Sequence, residues 1–144
     1  MMDVEDFVIK GWLEKTAVDE RLVKKEFEEA DYDLGKAKGA LEEGDFKWCI
    51  IQAYYSMFHA AKALLFRLGF REKKHFVIGA VLERLSKEGR LESSFVNDFR
   101  GAMMAREDAD YRYVHTKDTS GYVIGIAEEF IAKMKEMSGK AEIR

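Results

Sequence analysis

Hydrophobic residues recur every three or four positions along most of the chain, which is the spacing of one face of an α-helix. The first clear stripe lies between about Asp19 and Glu43 and is flanked by Glu and Lys. Its apolar members are Val23, Phe27, Ala30, Leu34, Ala37 and Leu41. The Gly44-Asp45 pair that follows suits the end of one helix and the cap of the next. The pattern therefore predicts a long amphipathic helix with one side packed on a core.

The segment Phe46–Leu68 is the most apolar part of the chain and predicts a second helix, which Gly69 ends. It is nearly long enough to span a bilayer. Polar and charged side chains interrupt it at Gln52, Ser56, His59, Lys62 and Arg67. We therefore expect a buried helix at the centre of a soluble bundle rather than a membrane span.

Three further helices follow the same spacing, at about Phe76–Lys87, Leu91–Asp110 and Thr119–Met137. Arg112–Lys117 has no apolar period and is predicted to be a loop. Residues 1–15 are predicted to form an amphipathic arm, and residues 138–144 a polar tail. No repeat or linker divides the chain, so residues 1–144 are expected to form one domain. The short connections favour an all-α fold, an antiparallel up-and-down bundle of about five helices.

Charge is unevenly distributed over the 144 residues, whose formal net charge is −3. Residues 1–45 hold 14 acidic and 7 basic residues, whereas residues 46–144 hold 13 acidic and 17 basic ones. This balance argues against a protein that coats nucleic acid by bulk charge. It is compatible with a local basic site that binds a polyanion.

The residue types that build the common cofactor and metal sites are missing. Cys49 is the only cysteine, which excludes an intramolecular disulfide and a zinc site built from several thiolates. The sequence has no glycine-rich phosphate loop and no pair of His or Cys at ligand spacing. We expect no metal and no cofactor. Because no basic and apolar leader opens the chain, a cytoplasmic location is also expected.

Arg106 lies inside the apolar stripe of the fourth predicted helix. At 100° per residue it falls within about 80° of the other members of the stripe, which are Phe95, Phe99, Ala102 and Ala109. A guanidinium in such a place is costly unless it is paired, and Asp110 can pair with it one turn later. Either the two residues form a structural ion pair, or Arg106 is held in a cleft to bind phosphate, which its planar donors fit.

A second polar line runs along the central helix. Gln52, Ser56 and His59 fall within about 60° of one another. A single His on an apolar helix is most often a core residue with a hydrogen-bond partner. Three polar residues on one line indicate either a hydrogen-bonded seam or the wall of a cleft.

Two predicted loops are rich in basic residues. In an up-and-down bundle the connection between the second and third helices lies at the same end as that between the fourth and fifth. The first loop contains Arg71, Lys73, Lys74 and His75, and the second contains Arg112, Tyr113, His115 and Lys117. Together they predict a binding surface for phosphate or RNA. The ordinary alternative is a pair of solvated loops.

Several of these segments resemble the small prokaryotic HEPN-domain family. The segments are Leu41–Phe46 (LEEGDF), Gln52–Leu65 (QAYYSMFHAAKALL), Lys74–Ile78 (KHFVI) and Arg106–Tyr111 (REDADY). They occur in the order of the family and span about residues 20–137. The resemblance implies an antiparallel helical bundle that commonly forms homodimers. It also implies a toxin–antitoxin setting, in which a minimal nucleotidyltransferase is the antitoxin partner.

Many HEPN proteins are endoribonucleases that need no metal and use an R-x(4–6)-H motif, and the resemblance carries this motif over in part. It implies that Arg106 steadies the scissile phosphate while a His transfers a proton. Tyr111, Arg112 and Tyr113 occupy the positions where the family has that His. The candidate proton carriers are therefore His115, His59 and His75. Asp110, Tyr111, Gln52 and Ser56 are expected to support the site.

Three functions follow from these observations. The first is a HEPN protein of toxin–antitoxin type that acts on RNA through Arg106 as a metal-independent endoribonuclease. The second is a non-catalytic module that binds a nucleotide or serves as a subunit of a minimal nucleotidyltransferase, which in related pairs adenylylates a tyrosine, here Tyr111 or Tyr113. The third is a purely structural helical dimer. The departure from the motif favours the second over strict catalysis, whereas Arg106 and the basic loops favour the first over the third.

Overall fold

A computed structural model describes the backbone of residues 3–143 and the side chains of residues 3–140. Within these residues the helices are α1 (Val4–Ile9), α2 (Glu20–Glu42), α3 (Phe46–Arg67), α4 (Val77–Lys87), α5 (Ser93–Tyr111) and α6 (Lys117–Ile143). Two short strands, β1 (Leu13–Lys15) and β2 (Phe70–Glu72), complete the secondary structure of this part of the chain.

The two longest predicted helices begin at aspartates that cap them. The side chain of Asp19 accepts a hydrogen bond from the backbone N–H of Arg21 at 2.9 Å, and that of Asp45 accepts one from Trp48 at 3.1 Å. Gly44, between α2 and α3, has φ +79°, which a residue without Cβ adopts at low cost. Gly44 and the Asp45 cap therefore fix the tight turn that folds α3 back along α2.

Helix α3 lies at the centre of the bundle and contacts α2, α4, α5 and α6. Helix α2 is antiparallel to it, since Glu20 at the start of α2 forms an ion pair with Arg67 at the end of α3. Helix α6 is parallel to it, since the Ser120 hydroxyl donates to the Phe46 carbonyl and Ser138 accepts from Arg67. These contacts leave the remaining side of α3 for α5.

Helix α5 is antiparallel to α3 and supplies Phe99, a fully buried aromatic side chain of the core. Phe99 stacks on Phe130 of α6 with ring centroids 5.6 Å apart, and it lies 5.9 Å from the ring of Tyr54 on α3. Farther along the same helix, Arg106 lies over Tyr55. The packing of α3 against α5 thus places Arg106 beside the middle of the central helix.

The two basic loops begin at opposite ends of α3, rather than sharing one end as the sequence predicted, and only His75 at the end of the first loop reaches back to Tyr54. Residues 68–72 follow the C-terminus of α3, whereas Tyr113 lies over Lys47 at its N-terminus, with the amine 5.8 Å from the ring centroid. The reason is the length of α4. Its 11 residues span about 16 Å, roughly half the length of the 22-residue α3. It cannot return the chain to the other end of the bundle, so α5 makes that crossing.

The predicted arm is built from α1 and β1 and is attached to the segment after α3. Strand β1 pairs with β2 antiparallel, with Leu13 opposite Glu72, and Leu13 is buried. The Thr16 N–H also donates to the Gly69 carbonyl at 2.8 Å. Gly69 has φ +84°, and a Cβ there would lie 3.1 Å from the Thr16 oxygen. Glycine is therefore required at this crossing.

The structure confirms the predicted all-α bundle. The five predicted helices correspond to α2–α6, and α1 is an additional short helix in the arm. The segment 138–143, expected to be a polar tail, continues helix α6, while residues 1, 2 and 144 of the predicted arm and tail lie outside the described residues. In the described part of the chain no helix combines the length and the apolar character needed to cross a bilayer.

Candidate functional site

The guanidinium of Arg106 lies between two tyrosine rings. Its central carbon is 5.5 Å from the ring centroid of Tyr55 on α3 and 5.7 Å from that of Tyr111, five residues later on α5. The side chain of Arg106 is 23% exposed, so it is partly removed from water but still reachable. Stacking on aromatic faces holds the guanidinium plane in place while leaving its outer N–H groups free to donate.

Among the described residues Arg106 has one charged partner, and it keeps unused hydrogen-bonding capacity. Its Nη2 lies 3.3 Å from a carboxylate oxygen of Asp110, one turn later on the same helix. The Nε of Arg106 is buried and has no hydrogen-bond partner among the described residues. A buried donor without a partner costs about 1–3 kcal/mol. The structure contains the Arg106–Asp110 ion pair that the sequence predicts. This pair leaves other N–H donors of the guanidinium without an acceptor.

Gln52 presents a second unsatisfied polar atom on α3. Its Oε1 is buried without a partner among the described residues. Gln52 precedes Tyr55 by three positions, and residues at this spacing lie on one helix face. Ser56 is different: it is fully buried, and its hydroxyl donates to the Ala53 carbonyl at 2.6 Å. The three residues of the predicted polar line therefore do not form one seam, because the Ser56 hydroxyl already has its hydrogen-bond partner within α3.

His75 reaches the same aromatic surface from the connection before α4. Its Nε2 lies 2.6 Å from the hydroxyl oxygen of Tyr54. Its ring stacks on Phe58, with centroids 4.6 Å apart and planes within 9°. Phe58 in turn packs edge-on against Tyr55, at 6.1 Å. Arg106 and His75 therefore contact one continuous floor, which we call the aromatic floor and which consists of Tyr54, Tyr55 and Phe58.

Burial favours the neutral form of His75. It lowers the pKa of the imidazole, while Glu72 acts in the opposite direction and the positive charge of Arg106 lowers the pKa again. Burial raises the pKa of Tyr54 well above the usual tyrosine range, so its hydroxyl stays protonated at neutral pH. Arg106 and His75 are thus close enough to influence each other electrostatically.

His59, predicted as a proton carrier, is enclosed by carboxylates of α2. Its Nδ1 is 2.7 Å from Glu26, and its Nε2 is 3.5 Å from Asp33. The hydrogen bond to Glu26 is the main reason why the pKa of His59 is raised. Burial also raises the pKa of Asp33. The structure places both ring nitrogens of His59 against acidic partners on the far side of the floor from α5.

His115 and the other basic residues of the second loop are exposed at the N-terminal end of α3. Arg112 forms an ion pair with Asp108 at 2.7 Å. Lys117 is the first residue of α6, and Tyr113 has φ +57°, an unusual value for a residue with a side chain. Among the described residues His115 makes no ring contact or ion pair with Arg106.

The basic residues of the first loop spread away from Arg106 along β2 and its end. Arg71 is exposed on β2, and Lys74 is exposed next to His75. Lys73 forms an ion pair with Glu14 of the arm at 3.3 Å. The structure therefore brings Arg106, Asp110 and Tyr111 together, with His75 on the same aromatic floor. It places His59, His115 and the basic residues of the two loops apart from them.

Sequence reasoning missed the aromatic floor. The prediction of a buried central helix puts Tyr54, Tyr55 and Phe58 in the hydrophobic core, because aromatic residues at helical spacing usually pack inward. Of these, only Tyr54 is fully buried, and the other two are partly exposed. The usable signal was the position of Tyr55, three residues after Gln52 and four before His59, which places it on the polar side of α3.

In the described part of the chain, no three His, Cys, Asp or Glu side chains cluster closely enough to hold a metal ion.

Comparison with known proteins places this chain in a family. The model of the HEPN domain family matches residues 23–137. The "UPF0332 protein" of Archaeoglobus fulgidus is 32% identical over 106 residues, which are 72% of this chain and 85% of that protein. "Putative toxin MJ0605" of Methanocaldococcus jannaschii is 30% identical over 109 residues, 74% of this chain and 81% of that one. "UPF0332 protein PH1297" of Pyrococcus horikoshii is 45% identical over 53 residues, 37% of each chain.

The matched range has a clear relation to the structure. It contains α3, α4, α5 and nearly all of α2, together with Arg106 and the aromatic floor, and it omits the arm formed by α1 and β1. The range covers well over half of the chain, and the resemblance seen in the sequence motifs is thereby confirmed. The chain belongs to the HEPN domain family.

Proposed function

We propose that this protein is a HEPN protein of toxin–antitoxin type that binds the phosphate of RNA at Arg106 and cleaves the strand without a metal ion. The observation that carries the proposal is the guanidinium of Arg106, held between Tyr55 and Tyr111 with its Nε unsatisfied. The relative from Methanocaldococcus jannaschii, which carries the word toxin in its name, supports the biological setting.

The physical argument concerns what the guanidinium still lacks. One ion pair with Asp110 leaves several of the five N–H donors of Arg106 without an acceptor. A phosphate supplies acceptors in the planar arrangement that a guanidinium matches. Tyrosine faces beside the cation can stack with unpaired bases, which favours a single strand over a duplex. A nucleotide or single-stranded RNA therefore fits this site better than an acidic protein does.

The same proposal includes a homodimer. Trp48 is 50% exposed on α3, and Tyr55 and Phe58 on that helix are only partly covered. Exposed aromatic residues that continue a binding floor are typical of interfaces. A second copy packed on this face would enclose Arg106 further. A concentration-independent monomer in analytical ultracentrifugation would contradict this part of the proposal.

The test is cleavage of a single-stranded RNA by the purified protein in EDTA, with the Arg106→Ala variant in parallel. Arg100→Ala is the matched control, because Arg100 lies on the same helix and forms a peripheral ion pair with Glu83. We expect cleavage by the wild type and the control and none by Arg106→Ala. Equal cleavage by all three proteins would overturn the assignment of Arg106.

A second function is favoured by the exposure of two tyrosines. Tyr111 and Tyr113 are 68% and 77% exposed, and Tyr111 also touches Arg106. A partner nucleotidyltransferase could therefore adenylylate either hydroxyl, and a bulky anion on Tyr111 would block the phosphate site. Mass spectrometry after incubation with such an enzyme and ATP checks this, with Tyr111→Phe and Tyr113→Phe as the variants. Modification of neither tyrosine would exclude it.

A further inference from the structure

We propose that His75 is the proton carrier of the Arg106 site, and that it takes the proton of the RNA 2′-hydroxyl. This inference rests on the proposed ribonuclease function and assigns the role for which the sequence offers no His at the family spacing. Its basis is the position of His75 at the edge of the aromatic floor, opposite Arg106.

The first argument is the fixed orientation of the imidazole. Nε2 lies 2.6 Å from the Tyr54 hydroxyl oxygen, to which Nε2–H donates in the tautomer whose Nδ1 accepts a proton, and the Phe58 ring holds the imidazole plane by stacking. These two contacts leave Nδ1 as the ring nitrogen without a partner in the described part of the chain. His75 is exposed to solvent. A free nitrogen on an oriented, accessible ring is what proton transfer to or from a bound substrate requires.

The second argument is the relation between His75 and Arg106. Phe58 contacts the imidazole, Tyr55 contacts Phe58, and Tyr55 also lies under the guanidinium. A nucleotide laid on this floor with its phosphate at Arg106 would therefore extend its sugar toward His75. The role of Tyr54 is to position the ring, since its buried hydroxyl does not reach the floor's open side.

The third argument comes from the other two histidines. Both nitrogens of His59 face carboxylates, so a proton on that ring is retained by Glu26 and Asp33. His115 lies in the exposed loop at the N-terminal end of α3, away from the floor. Of the three candidates, only His75 combines a free nitrogen with contact to the aromatic floor.

The reaction step balances without a metal or a redox partner. The 2′-oxygen attacks phosphorus, the P–O2′ bond forms, and the 2′-hydroxyl proton moves to Nδ1 of His75. The P–O5′ bond breaks, and the 5′-oxygen takes a proton from water. His75 then gives its proton to the resulting hydroxide. The products are a 2′,3′-cyclic phosphate and a free 5′-hydroxyl, and Arg106 stabilises the added charge on the phosphoryl oxygens.

The arm holds the backbone that carries His75. The Trp12 carbonyl accepts hydrogen bonds from the N–H groups of Lys73 at 2.8 Å and Lys74 at 3.2 Å. The Trp12 ring packs edge-on against Phe76, with centroids 5.6 Å apart. His75 is thus fixed from both sides along the chain. The arm lies outside the range matched by the family model.

A pH dependence follows from the groups that face His75. These are Tyr54 on α3, Glu72 on β2 and Arg106 on α5, and burial with Arg106 outweighs Glu72 in lowering the pKa of His75. A general base must be unprotonated, so the cleavage rate rises with pH until the pKa of His75 is passed. The rise is expected below the pH at which an ordinary histidine titrates.

The experiment compares His75→Gly, His59→Gln and His115→Gln with the wild type in EDTA. Binding is followed separately with a 2′-deoxy strand of the same sequence, which has no attacking hydroxyl. We expect His75→Gly to lose about 10²–10⁴-fold in cleavage rate, to bind the deoxy strand normally, and to regain cleavage when imidazole is added. We also expect the acidic limb of its pH profile to disappear, which a merely structural role would not cause.

The outcomes separate this inference from the function on which it rests. Loss of cleavage in His115→Gln or His59→Gln with full cleavage by His75→Gly overturns the inference and leaves Arg106 in place. Cleavage by Arg106→Ala overturns the proposed function itself. If the wild type binds RNA through Arg106 but never cleaves it, the proton-transfer role is overturned while phosphate binding stands.

Discussion

Replacing Arg106 by alanine distinguishes a structural role from a role in phosphate binding. A structural role predicts a large loss in the free energy of unfolding, whereas a role in phosphate binding predicts a small loss of stability and a large loss of RNA affinity. The described contacts of Arg106 are one ion pair between residues four apart and two cation–π contacts. Such contacts stabilise a fold by about 0.3–0.5 kcal/mol for the pair and about 0.5–1 kcal/mol for each ring. Removing the unsatisfied Nε offsets part of this loss. We therefore expect the free energy of unfolding to fall by about 1 kcal/mol.

The expected effect on RNA binding is larger. A phosphate bound by a guanidinium gains charge-assisted hydrogen bonds of about 1.5–3 kcal/mol, so Arg106→Ala should weaken binding by roughly 10- to 150-fold. Loss of one phosphate contact should also reduce the slope of log K against log salt by about 0.7 for a single strand. Arg106→Lys should keep most of the slope but lose affinity, because an ammonium cannot bind two oxygens in one plane.

The assays are urea unfolding followed by circular dichroism, and fluorescence anisotropy of a labelled strand at several salt concentrations. Arg100→Ala is again the control for the loss of one positive charge on α5. A drop of more than about 3 kcal/mol in the free energy of unfolding, with an unchanged salt slope, would refute the reasoning. In that case the arginine stabilises the bundle and does not bind phosphate.

Three further predictions concern the surroundings of the site. The pKa of His59 is raised in the fold, so its ion pair stabilises most below the unfolded pKa, and this stabilisation is lost as pH rises through the folded pKa. His59→Gln should therefore cost about 1.5 kcal/mol at pH 5.5 and little at pH 9 in urea unfolding; an equal cost at both pH values would contradict this. Tyr54→Phe should slow RNA cleavage about tenfold through loss of the bond to His75, with RNA binding unchanged; weakened binding would contradict it. Leu13→Ala removes a buried side chain of β1 and should cost about 2–3 kcal/mol. It should also speed amide hydrogen exchange at residues 70–74, and protected amides there would argue against the role of the arm.

The long helices were predictable because each one is specified by the spacing of apolar residues that are close together in the sequence. The stripe of α2 and the apolar run of α3 repeat at the helical period, and Gly44-Asp45 marks the turn between them. Each helix therefore follows from neighbours within about four positions. Strands β1 and β2 did not emerge, since three residues are too few to show an alternation and their pairing joins segments more than fifty positions apart.

The site was predictable only in part, for a similar reason. Arg106 stood out because a charged residue interrupted an apolar stripe, and its partner Asp110 is four residues away. His75 lies 21 positions from Tyr54, and His59 lies 33 positions from Glu26. These hydrogen bonds decide which histidine keeps a free nitrogen. They depend on how α2 and the segment before α4 pack on α3, which spacing along one helix does not specify.

The central claim is that the outer N–H groups of the Arg106 guanidinium bind an RNA phosphate, next to its buried Nε. The ¹⁵N–¹H signal of this Nε, assigned by its absence in Arg106→Lys, reports this directly during titration with a 2′-deoxy strand. The account predicts that this signal shifts progressively as the strand is added and that the shift is reversed by salt. If the strand binds and the signals of Arg71 or Arg112 shift while that of Arg106 stays fixed, the phosphate site lies elsewhere and the account is wrong.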